Sequence, residues 1–113
     1  MKALALDLGT KTGWALVDRD RLLTSGVKEF KSDRWQGGGL RFLHFRSWLD
    51  EFKQCSGGID RLFYEQVRQH AGTDASHLYG GWLAVLQVWC EENSIAYQGV
   101  PVGTIKRFAT GKG

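Results

Sequence analysis

The sequence predicts an α/β fold built on one mixed five-stranded sheet. Short apolar, strand-like runs recur five times along the chain. Two longer segments between them repeat their apolar residues every three or four positions, the helical period. The first three strands are joined by turn-length connections alone, whereas helices separate the later ones. The order βββαβαβ, with a third helix beginning near the end, therefore gives an antiparallel meander of three strands, then β-α-β units with helices packed on the faces of the sheet.

Each element has its own signal. Ala3 to Leu8 is apolar apart from Asp7, the pattern of a strand buried on both faces. Gly9 to Gly13 reads as a turn, Trp14 to Val17 as the returning strand, Asp18 to Arg21 as a polar hairpin tip, and Leu22 to Phe30 as the third strand. A glycine-rich loop, Trp35 to Gly39, leads into a helix with Phe42, Phe45, Leu49 and Phe52 on one face and Trp48 alongside. Gly57-Gly58 ends that helix, and Arg61 to Val67 is the fourth strand.

A polar loop, Arg68 to Asp74, precedes a second helix with Leu78, Trp82, Val85, Leu86 and Trp89 on one face. Gly80-Gly81 inside it costs about 1 kcal/mol per glycine relative to Ala, so a helix or a ligand is expected to approach closely there. Ile95 to Tyr97 is the fifth strand, closed by Val100-Pro101, and Val102 to Ala109 begins a third helix. Four of the five tryptophans fall on positions that suit a core.

A chain of 113 residues with 42% hydrophobic and 24% charged side chains is sized for one domain, here 1–113, and is not of disordered composition. No uncharged apolar run approaches the roughly 20 residues a membrane span needs. Met1-Lys2 leads straight into a strand-like run broken by Asp7, which argues against a signal peptide. Cys55 and Cys90 lack zinc-site spacing, and His44, His70 and His77 are scattered, so the expected setting is reducing and cytoplasmic. The net charge of +3 is mild, but Lys106, Arg107 and Lys112 lie in a terminal segment without acids. Such a segment suits either phosphate contacts or simple solvation.

Asp7 and Glu65 are the informative residues. Each interrupts an apolar strand, where a lone buried carboxylate is costly unless paired or bound to a cation. The first strand and the strand after the first helix commonly lie side by side, which would bring the two together. Like charges so placed call for a cation between them, and Mg²⁺ takes one or two carboxylates plus phosphate oxygens. The competing reading has Asp7 capping the Gly9–Gly13 turn and Glu65 pairing with a nearby arginine. Spacing alone leaves both open.

The segment Leu6-Asp7-Leu8-Gly9-Thr10-Lys11-Thr12-Gly13-Trp14-Ala15 resembles the first-strand motif of the RuvC-type Holliday junction resolvases of the RNase H-like superfamily. Phe63-Tyr64-Glu65-Gln66-Val67 is similar to the second catalytic strand of that family, and Val100 to Gly113 resembles its proline, short basic helix and Thr-Gly-x-Gly turn. The resemblance spans nearly the whole chain. It implies a metal-dependent endonuclease that cuts branched DNA such as four-way junctions, usually as a homodimer. Asp7 and Glu65 then match the first two catalytic, metal-binding carboxylates, with Mg²⁺ as the expected ion and Mn²⁺ as a substitute. Lys11, Arg68, Lys106, Arg107 and Lys112 fall where the family runs near DNA.

Two departures accompany the likeness. Arg68 stands where the family often has an aromatic residue that enters the junction, which would shift weight toward phosphate or flap contacts. The remaining two carboxylates of the family lie on a later helix, beyond the Thr-Gly-x-Gly turn, so the two-ion site is expected to be incomplete in residues 1–113 and cleavage by them weak. The same opening motif also occurs in actin-like and sugar-kinase ATPases, which need a second lobe. Other readings are a non-catalytic DNA-binding module of the same fold and a YqgF-type nuclease acting on RNA.

Overall fold

The computed structural model describes residues 1–19, 21–31, 38–67 and 72–101. Five strands and two helices follow the order β1 (Lys2–Asp7), β2 (Lys11–Asp18), β3 (Arg21–Glu29), α1 (Leu40–Cys55), β4 (Arg61–Glu65), α2 (Thr73–Glu92) and β5 (Ala96–Val100). They build one sheet of spatial order β3-β2-β1-β4-β5. The β1–β2 and β2–β3 pairs are antiparallel, whereas β1–β4 and β4–β5 are parallel. This is the α/β fold with a meander of three strands and a mixed sheet that the sequence predicts. The expected third helix, Val102 to Ala109, lies outside the described residues.

Strand alternation sorts the side chains. Leu4 and Leu6 of β1, Leu62 and Tyr64 of β4, and Trp14 of β2 join one apolar cluster with Phe45 and Leu49 of α1 and Trp82, Leu86 and Trp89 of α2. Both described helices therefore cover the same face. On the opposite face Ala3, Ala5, Val17 and Phe63 line a shallow pocket of about 270 Å³.

The core is mainly aromatic. Trp82 is fully buried and meets Phe42 and Phe45 edge-on, at centroid distances of 4.7 and 5.2 Å. Phe30 closes the same group against Phe45 and Trp48. Edge-on pairs of this kind add about 0.5–1.5 kcal/mol each beyond the burial itself. Of the two glycines in α2, Gly81 has its explanation here: a Cβ on it would lie 2.5 Å from the Phe42 ring, so the close approach belongs to α1, whereas a Cβ on Gly80 would meet nothing within 4 Å.

Polar bonds tie the helices at their ends. Trp89 Nε1 donates to Asp50 Oδ1 at 2.8 Å, Lys53 Nζ to Asn93 Oδ1 at 2.9 Å, and Arg46 forms a two-oxygen ion pair with Glu92. Gly57 and Gly58, with φ of +80° and +121°, turn the chain out of α1 as only glycine does readily.

Several strand boundaries differ from the expected ones, and two of the shifts have a visible cause. β2 begins at Lys11 rather than Trp14, because the buried Thr12 hydroxyl donates to the Gly9 carbonyl at 2.7 Å and becomes acceptable inside a strand. β5 runs on to Val100, where Gln66 N–H donates to the Val100 carbonyl at 2.8 Å and prolongs the ladder.

Candidate active site

Asp7 and Glu65 are the last residues of β1 and β4, neighbouring parallel strands. The register pairs Ala3 with Arg61 and Leu6 with Tyr64, so one further step sets Asp7 beside Glu65. Parallel neighbours in register point the same way, so both carboxylates share the face opposite the helices. Glu65 is 6% exposed and Asp7 half-buried. The adjacency expected from the β-α-β connection is present.

The register is clamped at the far end. Lys2 N–H donates to Asp60 Oδ2 at 2.8 Å, and Asp60 N–H donates to the Lys2 carbonyl at 2.9 Å. Lys2 Nζ also bonds the Ser56 carbonyl at the end of α1. Neither β1 nor β4 can slide by a residue without breaking these bonds, and such a slide would turn one carboxylate to the opposite face.

Around Asp7 the sheet is kept low. Gly13 pairs with Asp7 across β2, and a Cβ there would lie 3.6 Å from Asp7 Cβ. Lys11 continues β2 on the same face, exposed, one layer beyond Gly13. On the other side Gln66 folds over Gly99, where a Cβ would come within 2.5 Å of its side chain.

One site residue, Tyr79, was not anticipated. Its hydroxyl donates to the Glu65 carbonyl oxygen at 2.7 Å and accepts a long bond from Val67 N–H at 3.4 Å. Burial raises its pKa, the Val67 bond opposes the shift, and the neighbouring Tyr64, Glu65 and Asp7 side chains raise it further. Tyr79 thus feels both carboxylates and pins the strand end that carries one of them. A tyrosine beside Gly80-Gly81 was the available signal, but its target is a backbone atom that no side-chain pattern reveals.

Among the described residues, no group of three or more His, Cys, Asp or Glu side chains is placed to hold a metal ion. Asp7 and Glu65 supply oxygen donors only, on one face at a strand terminus, which is the donor chemistry of Mg²⁺ or Mn²⁺ rather than of zinc. Arg68, Lys106, Arg107 and Lys112 lie outside the described residues.

No family model matches the chain. No curated protein sequence matches it either. Solved structures do. A Thermus thermophilus RuvC in complex with a Holliday junction substrate superposes with a TM-score of 0.76 at 15% identity, over 90% of this chain and 65% of that one. The fold is RNase H-like. A second Thermus thermophilus RuvC structure gives 0.73 at 16% identity, over 95% and 68% of the two chains. A ROK hexokinase from Thermus thermophilus also superposes, at a TM-score of 0.54 and 16% identity, over 89% of this chain and 34% of that one. The chain spans about two thirds of the RuvC chains and a third of the hexokinase. Among the described residues, no helix is long and apolar enough to cross a membrane.

Proposed function

We propose that this chain carries the nuclease site of a metal-dependent endonuclease acting on branched DNA, with Asp7 and Glu65 as metal ligands. The observation that carries the reading is the placement of two carboxylates side by side at the ends of the central parallel strands, on the face away from the helices. A bound Mg²⁺ would polarise the scissile phosphate and activate water for in-line attack. Asp7 and Glu65 would hold that ion. Tyr79 fixes the backbone from which Glu65 projects. Lys11, exposed on the same face, offers a cation to a neighbouring phosphate, and Arg68, Lys106, Arg107 and Lys112 would extend the contact along the DNA. A homodimer would present one site to each of two strands.

The test uses residues 1–113 with Asp7→Asn and Glu65→Gln. Mn²⁺ titration followed by electron paramagnetic resonance should show one weak site whose affinity falls at least about 10-fold in either variant. Four-way DNA junctions should be bound in preference to linear duplex and nicked slowly, with nicking lost in both variants. Unchanged Mn²⁺ binding in both variants overturns the assignment.

A second reading is favoured by the gathering of only two carboxylates at this site among the described residues. As a DNA-binding module of the same fold, the chain would bind junctions equally well with Asp7→Asn and nick none. Preference for structured RNA would move the reading to a YqgF-type nuclease, and thermal stabilisation by ATP would move it to a kinase-like lobe.

A further inference from the structure

The sheet face away from the described helices carries a pocket at the foot of the strands, the end opposite Asp7 and Glu65. Ala3 pairs with Val17 on one side and Arg61 on the other, and Ala5 pairs with Ala15 and Phe63. β1 is therefore a furrow floored by two alanines, with Val17 and Phe63 as its walls. The columns beside β1 stand roughly 9–10 Å apart, twice the strand spacing, which admits a planar ring. The furrow is short. Ala5 and Ala15 are 2% and 0% exposed with Val100 packed against them, and the pocket lining stops at Ala5 and Phe63. Its volume of about 270 Å³ lies at the small end of ligand pockets.

Three side chains give the pocket its chemistry. Phe63 is half-buried and, among the described residues, meets no other ring, whereas Phe30, Phe42, Phe45 and Phe52 all do. At the foot, Arg19 and Arg61 are exposed, and among the described residues neither forms an ion pair. Asp18 is taken up by the Met1 ammonium at 2.9 Å, and the Asp60 carboxylate accepts from Lys2 N–H. Arg19 has a φ of +52°, a left-handed conformation that glycine holds more easily. A cationic side chain is thus kept at a backbone position that disfavours it.

We propose that this pocket binds a nucleoside monophosphate, its base over Ala3 and Ala5 against Phe63 and its phosphate between Arg19 and Arg61. Two guanidinium groups match the double charge of a phosphate monoester better than the single charge of a carboxylate. The short furrow has no room for a long acyl chain, and a phenyl ring without a ring partner suits a stacked base. Free nucleotide and the 5′-phosphorylated end of a strand present the same chemistry. The inference stands apart from the nuclease reading, because it uses no metal and neither Asp7 nor Glu65.

The experiment is a nitrogen–proton correlation NMR titration of the whole chain with AMP, in EDTA so that no metal contributes. Amide signals of Ala3, Ala5, Val17 and Phe63 should shift and saturate with a dissociation constant of about 1 mM or tighter. Those of Lys11 and Glu65 should stay in place. Adenosine and ribose 5-phosphate, each lacking one half of the ligand, should bind at least about 5-fold more weakly. Arg61→Ala, Arg19→Gly and Phe63→Leu should each weaken AMP binding by at least about 5-fold. Arg19→Gly should do so with a melting temperature no lower than that of the unaltered chain. A 5′-phosphorylated DNA tetranucleotide that saturates the same amides at lower concentration than AMP assigns the ligand to a strand end, and one that binds no better assigns it to free nucleotide. Absence of shifts at these amides overturns the proposal. So does AMP affinity that ignores all three substitutions, or adenosine binding as tightly as AMP.

Discussion

Lys2 and Asp60 exchange two hydrogen bonds at the foot of the sheet, Lys2 N–H to Asp60 Oδ2 at 2.8 Å and Asp60 N–H to the Lys2 carbonyl at 2.9 Å. Lys2 is as far along the chain from Asp7 as Asp60 is from Glu65, so a clamp at one end levels the carboxylates at the other. Asp60→Ala removes one of the two bonds and should lower stability by about 1 kcal/mol. Urea unfolding measures that loss. Weakened Mn²⁺ binding by the folded variant would show that the clamp also sets the spacing of the site.

Tyr79→Phe should cost about 1 kcal/mol and lower the melting temperature by several degrees, because it removes the bond to the Glu65 carbonyl. It leaves both carboxylates in the chain. A drop in Mn²⁺ affinity larger than the change in stability implies would mark Tyr79 as a positioning residue. Affinity equal to that of the unaltered chain would confine it to a structural role.

The glycine pair of α2 should split in its behaviour. A Cβ on Gly80 meets nothing within 4 Å, so Gly80→Ala should stabilise by about 0.5–1 kcal/mol through helix propensity. A Cβ on Gly81 strikes the Phe42 ring, which is packed on Trp82, so Gly81→Ala should destabilise by about 1–3 kcal/mol. Thermal melts of the two variants should move in opposite directions.

Stability should fall in alkali. Burial pushes the Cys90 thiol up from 9.0 to about 12, with the Glu91 charge adding to the shift, and burial also raises the Tyr79 phenol above its ordinary 10.0. Each group is raised in the folded state, so its contribution is full below the unfolded pKa and is lost as pH rises through the folded one. Urea midpoints should therefore decline between pH 9 and 12, and Cys90→Ala should show a shallower decline. In the native protein at pH 8 a thiol reagent should label exposed Cys55 and spare buried Cys90, with both labelled after unfolding.

Much of the fold was legible because periodicity is written along the chain. Phe45 and Leu49 in α1, and Trp82, Leu86 and Trp89 in α2, are buried where their spacing places them. Asp7 and Glu65 stood out as carboxylates inside apolar strands, and a β-α-β connection brings such strands together. Thr12 was read as a turn residue because its fitness for β2 depends on the Gly9 carbonyl beside it. Gln98 and Gly99 hid the end of β5, since a parallel edge strand with one open side tolerates polar residues. Tyr79 was missed because its role depends on a backbone oxygen brought near only by the finished fold.

Both described helices load the face of the sheet that Asp7 and Glu65 do not share. Holding the molecule together and meeting its surroundings are thus tasks given to largely separate sets of side chains. A substitution at Trp82 endangers everything at once, whereas one at Lys11 or Val27 alters only what the molecule encounters. Mutational drift can then rewrite the outward character of such a sheet, one tolerated step after another, with the folded state retained at each step.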